Sequence, residues 1–193
     1  MLPLMLAVSF TVQDTIVLEN DYVRVSQNSV LCAKAGTAGC GDRVIVARGD
    51  VTIRKGSAVE HLRRGDIRVF EAGSSYEKPT GEYWEVAWKP THPPVQSPKE
   101  LIRPAKNEVK FENSRFFAFE EKLAVGDTRA RHSHSQRVVI QLNRTKLHYW
   151  MDGEPESDRD ITPDRPAYNP PATHTVKCVG DLPLRGIVLE LKP

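Results

Sequence analysis

The chain has 193 residues, 27% of them charged, and a formal net charge of +2. It carries no long basic run, which removes the electrostatic footprint of a nucleic-acid-binding protein, and no apolar run reaches the ~20 residues of a membrane-spanning helix. Cys32, Cys40 and Cys178 are too few and too scattered for a disulfide framework, and the length allows one large domain or two small ones.

Residues 1–14 begin with the almost wholly apolar MLPLMLAVSF. The run reads as the remnant of an export signal, with a first edge strand against a barrel as the alternative; an exported or periplasmic location is favoured over a cytoplasmic one. Residues 15–90 then carry short runs rich in β-branched and aromatic side chains at 22–25, 43–46, 51–53 and 67–70, separated by Gly49-Asp50, Gly65-Asp66 and Gly73. Residues 91–106, THPPVQSPKELIRPAK, hold four prolines and no strand pattern, predicting an extended, stiff linker. Within it, residues 98–102 could turn once as helix, and His92 is expected to be exposed. Residues 107–193 return to β runs at 116–119, 137–142, 146–150 and 186–191. The acidic stretch 152–165 between them predicts a mobile surface loop beside a barrel mouth. No helical period of useful length occurs anywhere, so the fold class is all-β.

The two β-rich stretches repeat one another. Leu18-Glu19-Asn20 recurs as Phe111-Glu112-Asn113, and Asp42-Arg43-Val44-Ile45-Val46 as Gln136-Arg137-Val138-Val139-Ile140. Asp66 with Phe70 to Tyr76 parallels Asp164 with Tyr168 to His174, and Lys89-Pro90 recurs as Lys192-Pro193. The offset grows from 93 to 103 residues along the chain, as loop insertions would make it. Each stretch therefore reads as one barrel. Strands with alternating faces must bury one side, and two sheets closed on each other do so while hiding most edges.

Candidate chemistry concentrates in the second barrel. Gly126 is followed by five residues and then His132-Ser133-His134. On a strand, residues two apart leave the same face, so this pair forms a two-point clamp for a metal ion. His174 lies 40 residues on, in another strand-like run. Three converging imidazoles suit one divalent transition metal, Fe, Zn, Ni, Cu or Mn, with positions left open for a ligand. If the alternation continues, Gln136, Val138 and Ile140 face inward as well, while Arg129, Arg131, Ser133, Ser135 and Arg137 face out. Gln136 is then either a weak fourth ligand or a hydrogen-bonded interior group. Cys178 shares the parity of His174 and is either packing or a thiol close to the metal. His148 or Tyr149 lines the pocket, or belongs to an aromatic core cluster.

Gly126, the His132-x-His134 pair and His174 resemble the two motifs of the cupin family, and the repeat resembles a two-barrel bicupin. The resemblance implies two tandem jelly-roll barrels. The family's glutamate would fall at Val138 or Val139 and is absent, and Cys178 stands where the second motif has asparagine. Aligned through Arg43 and Arg137, the ligand positions of the first barrel become Ala38, Cys40 and Tyr76, so that half is expected to be degenerate and metal-free. Losing the carboxylate leaves a more positive, open metal, and three-histidine sites of this type imply dioxygenase-like chemistry on a small molecule. A non-catalytic metal- or small-molecule-binding module is the alternative, and no acid–base residue is identifiable. Exposed strand edges make a homodimer an expectation as well.

Overall fold

The computed structural model describes residues 15–28, 41–74, 76–103 and 107–193. The expectations for residues 1–14, Cys32, Ala38 and Cys40 lie outside these. Fifteen strands and no helix occur among the described residues. They are β1 (Thr15–Glu19), β2 (Val23–Gln27), β3 (Arg43–Lys55), β4 (Ala58–Leu62), β5 (Ile67–Phe70), β6 (Thr80–Trp88), β7 (Glu108–Glu112) and β8 (Phe116–Leu123). The remainder are β9 (Thr128–His134), β10 (Arg137–Gln141), β11 (Thr145–Met151), β12 (Ser157–Ile161), β13 (Pro166–Asn169), β14 (Ala172–Cys178) and β15 (Leu184–Leu191).

The early strands form one sheet in the order β1-β2-β6-β3-β4, with β5 beside β3. The later strands form two sheets, β13-β10-β15-β8-β7 and β12-β11-β14-β9. Leu123 and Leu184 of the former pack inside against Leu147, Val176 and Cys178 of the latter, closing a jelly roll. In the first half β3 is 13 residues long, and its register with β6 shifts between Ala47 and Val51. The bend carries one strand from the sheet proper into the β3–β4 hairpin. Gly81 stands opposite that bend, where a Cβ would strike the Asp50 carbonyl oxygen.

The tandem architecture repeats in hydrogen bonds as well as in sequence. Asn20 Oδ1 accepts the Tyr22 and Val23 amides, and Asn113 Oδ1 accepts those of Arg115 and Phe116. Glu19 pairs with Lys89 at 3.0 Å and Glu112 with Lys192 at 2.6 Å. Arg43 sits opposite Phe70 and Ala87, as Arg137 sits opposite Asn169 and Glu190. The last correspondence corrects the sequence alignment by one residue: Phe70 holds the place of Asn169, not Tyr168.

Alternation along the paired strands builds two kinds of core. Val44 and Val46 face Val138 and Ile140 in a core shared by both halves, with Trp88 and Phe116 at its centre, ring centroids 5.3 Å apart. Ile45 and Ala47 face the other way, into the first half, with Phe70, Tyr76 and Tyr83. Residues 98–102 form no helical turn, contrary to the expectation. His92 is half-buried rather than free, its ring 5.5 Å from that of Tyr22. The acidic stretch is also more ordered than its composition predicts. Its residues 157–161 are β12, paired with β11 from Thr145↔Ile161 to Tyr149↔Ser157. An edge strand with one solvated face tolerates such polar residues.

Candidate metal centre

The trio forms because β9 and β14 are neighbours. His132 stands directly opposite His174, and His134 opposite Ala172. All three imidazoles are buried, with centroid separations of 4.8, 4.5 and 5.4 Å. One ring nitrogen of each lies within 4.8 Å of the others. Two metal–nitrogen bonds of about 2.1 Å span at most about 4.2 Å, so a bound ion would draw the rings slightly together. Gly126, the motif glycine, starts this segment with φ +83°, donating its N–H to the Cys178 carbonyl at 2.8 Å. That left-handed turn is open to glycine without strain and sets β9 beside β14.

Tautomers follow from the partners. His132 Nδ1 donates to the Ala130 carbonyl at 2.8 Å, leaving Nε2 buried with no partner. His134 Nδ1 donates to Glu190 Oε2 at 2.8 Å, which leaves its Nε2 as the free nitrogen. His174 Nδ1 is buried and unpartnered too. Burial pushes His134 and His174 down to about 2, reinforced by neighbouring positive groups, and lowers His132 in the same direction. The rings are thus neutral, the form that ligates metals. Buried ring nitrogens without hydrogen bonds are rare and costly, and a cation would satisfy them. The donor set fits a first-row divalent ion.

Sequence reasoning missed Glu190. Its Oε1 accepts the Ser135 amide at 2.8 Å while Oε2 holds His134, and burial raises its carboxyl to about 7. A carboxylate orienting a ligating histidine through the far ring nitrogen is the usual outer support of a metal site. The one signal was a single acid inside the apolar run Ile187-Val188-Leu189-Glu190-Leu191.

In front of His134 and His174 lies a cavity of about 280 Å³, lined also by Glu121, Arg137, Tyr149 and Arg159. Tyr149 meets His174 edge to face at 5.5 Å, and the Phe119 ring lies 6.3 Å from His134. Here two irregularities overturn the expected alternation. β9 ends at His134, so Ser135 and Gln136 break the strand before β10 begins. Beyond that break Arg137, Val139 and Gln141 line the cavity, while Val138 and Ile140 turn to the other barrel. A register shift opposite His174 and Val176 likewise brings Arg129 inward. It is 6% exposed and lies 3.1 Å from Glu121. Arg131 does face out, bound to Asp152 and Glu100.

The three accessory candidates fall away from the trio. Gln136 gives its amide oxygen to the Gln96 N–H of the linker at 2.8 Å, so it is not directed at the metal position. The linker also exchanges hydrogen bonds with Ser133 through Ile102, covering the free edge of β9. Cys178 is inside the barrel as its parity predicts, but it packs with Leu147 and Leu184 and contacts Thr145 Oγ1 at 3.4 Å. It is a buried packing thiol outside the ligand cluster. His148 lies on the outer face, held by Asp158 at 2.7 Å and Glu156 at 3.2 Å; Tyr149 is the one that faces the cavity. In the first half, Tyr76 is buried, stacked on Phe70 at 4.0 Å, with the Arg43 guanidinium 5.2 Å above its ring.

No protein-family model matches the sequence, and no curated protein does. Solved structures do. A cupin 2 conserved barrel domain protein from Leptotrichia buccalis is similar over 97% of this chain and 92% of its own, at 14% identity and TM-score 0.57. AerE from Microcystis aeruginosa is similar over 90% and 89%, at 14% and 0.55. An oxalate decarboxylase from Lactobacillus farciminis, in a formate complex, is similar over 90% and 78%, at 14% and 0.53.

Proposed function

Because the chain has the cupin fold as two tandem barrels, we propose that it holds one divalent transition metal on His132, His134 and His174 and works as a mononuclear metalloenzyme of the dioxygenase type on a small oxygenated molecule. The observation that carries this reading is three buried, neutral imidazoles on adjacent strands, two with orphaned nitrogens, of which His134 and His174 line a cavity. When bound, the metal supplies Lewis-acid or redox chemistry. The chain's own residues hold the rings neutral, orient His134 through Glu190, and keep water from the back of the site with Phe119. The neighbouring oxalate decarboxylase supports an enzyme on this fold, although the fold itself hosts many functions. The first barrel is assigned a structural role, its interior packed with Phe70, Tyr76 and Tyr83.

A non-catalytic metal-binding module is the second reading. One observation favours it: Glu121 is 3.1 Å from Arg129 and Glu190 is bound to His134, so neither nearby carboxylate is free to move a proton.

Metal analysis of purified, dialysed protein tests the site. About one equivalent is expected, and less than about a tenth of an equivalent ends the reading. Replacing both His132 and His134 by Ala should abolish the rise in Tm on adding metal, a rise of roughly 5–10 °C for the wild type at a hundredfold excess over Kd. Oxygen uptake by the Fe(II)-loaded protein with catechols, thiols and diketones separates the enzyme from the module.

A further inference from the structure

We propose that the cavity in front of His134 and His174 receives a small carboxylate, and that Arg137 is the residue that recognises its charge. The proposal deepens the metal-site reading and rests on it for the position of the ligand. Arg137 is 7% exposed and lines the cavity beside His134 and His174. Its Nη1 donates to the Pro170 carbonyl at 2.9 Å and the Ser135 carbonyl at 3.3 Å, which fixes the plane of the group. Among the described residues, nothing holds Nε or Nη2, and no carboxylate lies within ion-pair distance.

The acids and bases around it are engaged with one another. Glu121 is 3.1 Å from Arg129. Glu190 accepts from His134 and the Ser135 amide. Arg159 lies over the Tyr149 ring at 4.9 Å and 3.5 Å from Glu154. A buried guanidinium without a counter-ion is disfavoured; burial pulls the pKa of Arg137 down, against the pull of Glu190 and Glu121. A carboxylate meeting the free edge of the fork in a bidentate pair would relieve this.

The duplication supplies an internal comparison. Arg43 occupies the same register position in the first barrel and likewise bonds a loop carbonyl, that of Ser74. There the Tyr76 ring lies under the guanidinium. In the second barrel the arginine faces a cavity of about 280 Å³ instead. Liquid water occupies about 30 Å³ per molecule, so this space suits a ligand of a few carbons, at the small end of binding pockets.

Calorimetric titration of formate and acetate against formamide and acetamide tests the proposal. The wild type, Arg137→Gln and Arg137→Lys are compared with and without metal, with metal content measured on each. The acids should bind the wild type at least about tenfold more tightly than the amides. Arg137→Gln should lose roughly ten- to a hundredfold in acid affinity at unchanged metal content, and Arg137→Lys should recover part of it. The metal-free wild type should keep an Arg137-dependent preference for the acids, so failure of the metal reading is seen separately. Equal binding of acetate and acetamide to the wild type overturns the proposal, and so does full acid affinity in Arg137→Gln. If that variant does not fold, the wild-type comparison of acid with amide decides.

Discussion

At Glu190 a single carboxylate answers two donors, the His134 imidazole and the Ser135 amide, each at 2.8 Å. A Gln there has one acceptor oxygen and turns an N–H toward the other donor. Glu190→Gln should therefore weaken metal binding by roughly ten- to a hundredfold, read by competition with a chromogenic chelator. A change below about threefold would show that His134 is oriented by packing alone. The His132–His134 pair was legible in the sequence because spacing of two means one face on any regular strand, and His174 joined it through the resemblance to the second motif. Arg137 and Gln136 were not, because two residues outside the strand reset the alternation, and nothing in Ser135-Gln136 announces a break.

Among the elements, β8 shows how one strand serves both barrels. Phe119 and Glu121 face the site, while Phe116 and Ala118 enter the shared core. Glu120 is 3% exposed on the same side as Ala118, bound by Arg185 Nε at 2.8 Å and Lys110 at 3.2 Å. Burial alone would raise its carboxyl, but Arg185 and Lys110 outweigh it, and the net shift is downward. A depressed folded pKa means stability that is present above the unfolded value, about 4.3, and lost as pH falls through the folded one. Glu120→Gln should thus lower stability at pH 7 by more than it does at about pH 3, below the unfolded value, measured by urea unfolding at both. An equal deficit at both pH values would contradict the ion-pair account. At this scale the strands themselves were readable from β-branched and aromatic runs. β12 was hidden because its stability comes from pairing with β11, not from its own polar composition.

The two barrels share one core, and this governs the behaviour of the whole molecule. Val44, Val46, Trp84, Val86 and Trp88 face Phe116, Val138, Ile140, Ile187 and Leu189 across it. Arg64 reinforces the contact through the Leu142 carbonyl and Asp164. Heating should give one cooperative transition, and Trp88→Ala should remove roughly 3–5 kcal/mol, seen as a loss of roughly 6–20 °C in Tm. A fragment of residues 107–193 alone should bind hydrophobic dye and aggregate, since it bares the partner face. A monomeric, fully folded fragment would show that the halves are independent.

Local patterning carried a great deal: the all-β class, the tandem repeat, and the His132–His134 pair, since each depends only on side-chain type and on order along the chain. The assembled barrels settled which way the strands face after each irregularity, which carboxylate reaches His134, and that the arginine expected at the surface lies beside the site. Those outcomes depend on register and on contacts between residues dozens of positions apart, and strand breaks and bulges leave no mark that composition or period can show.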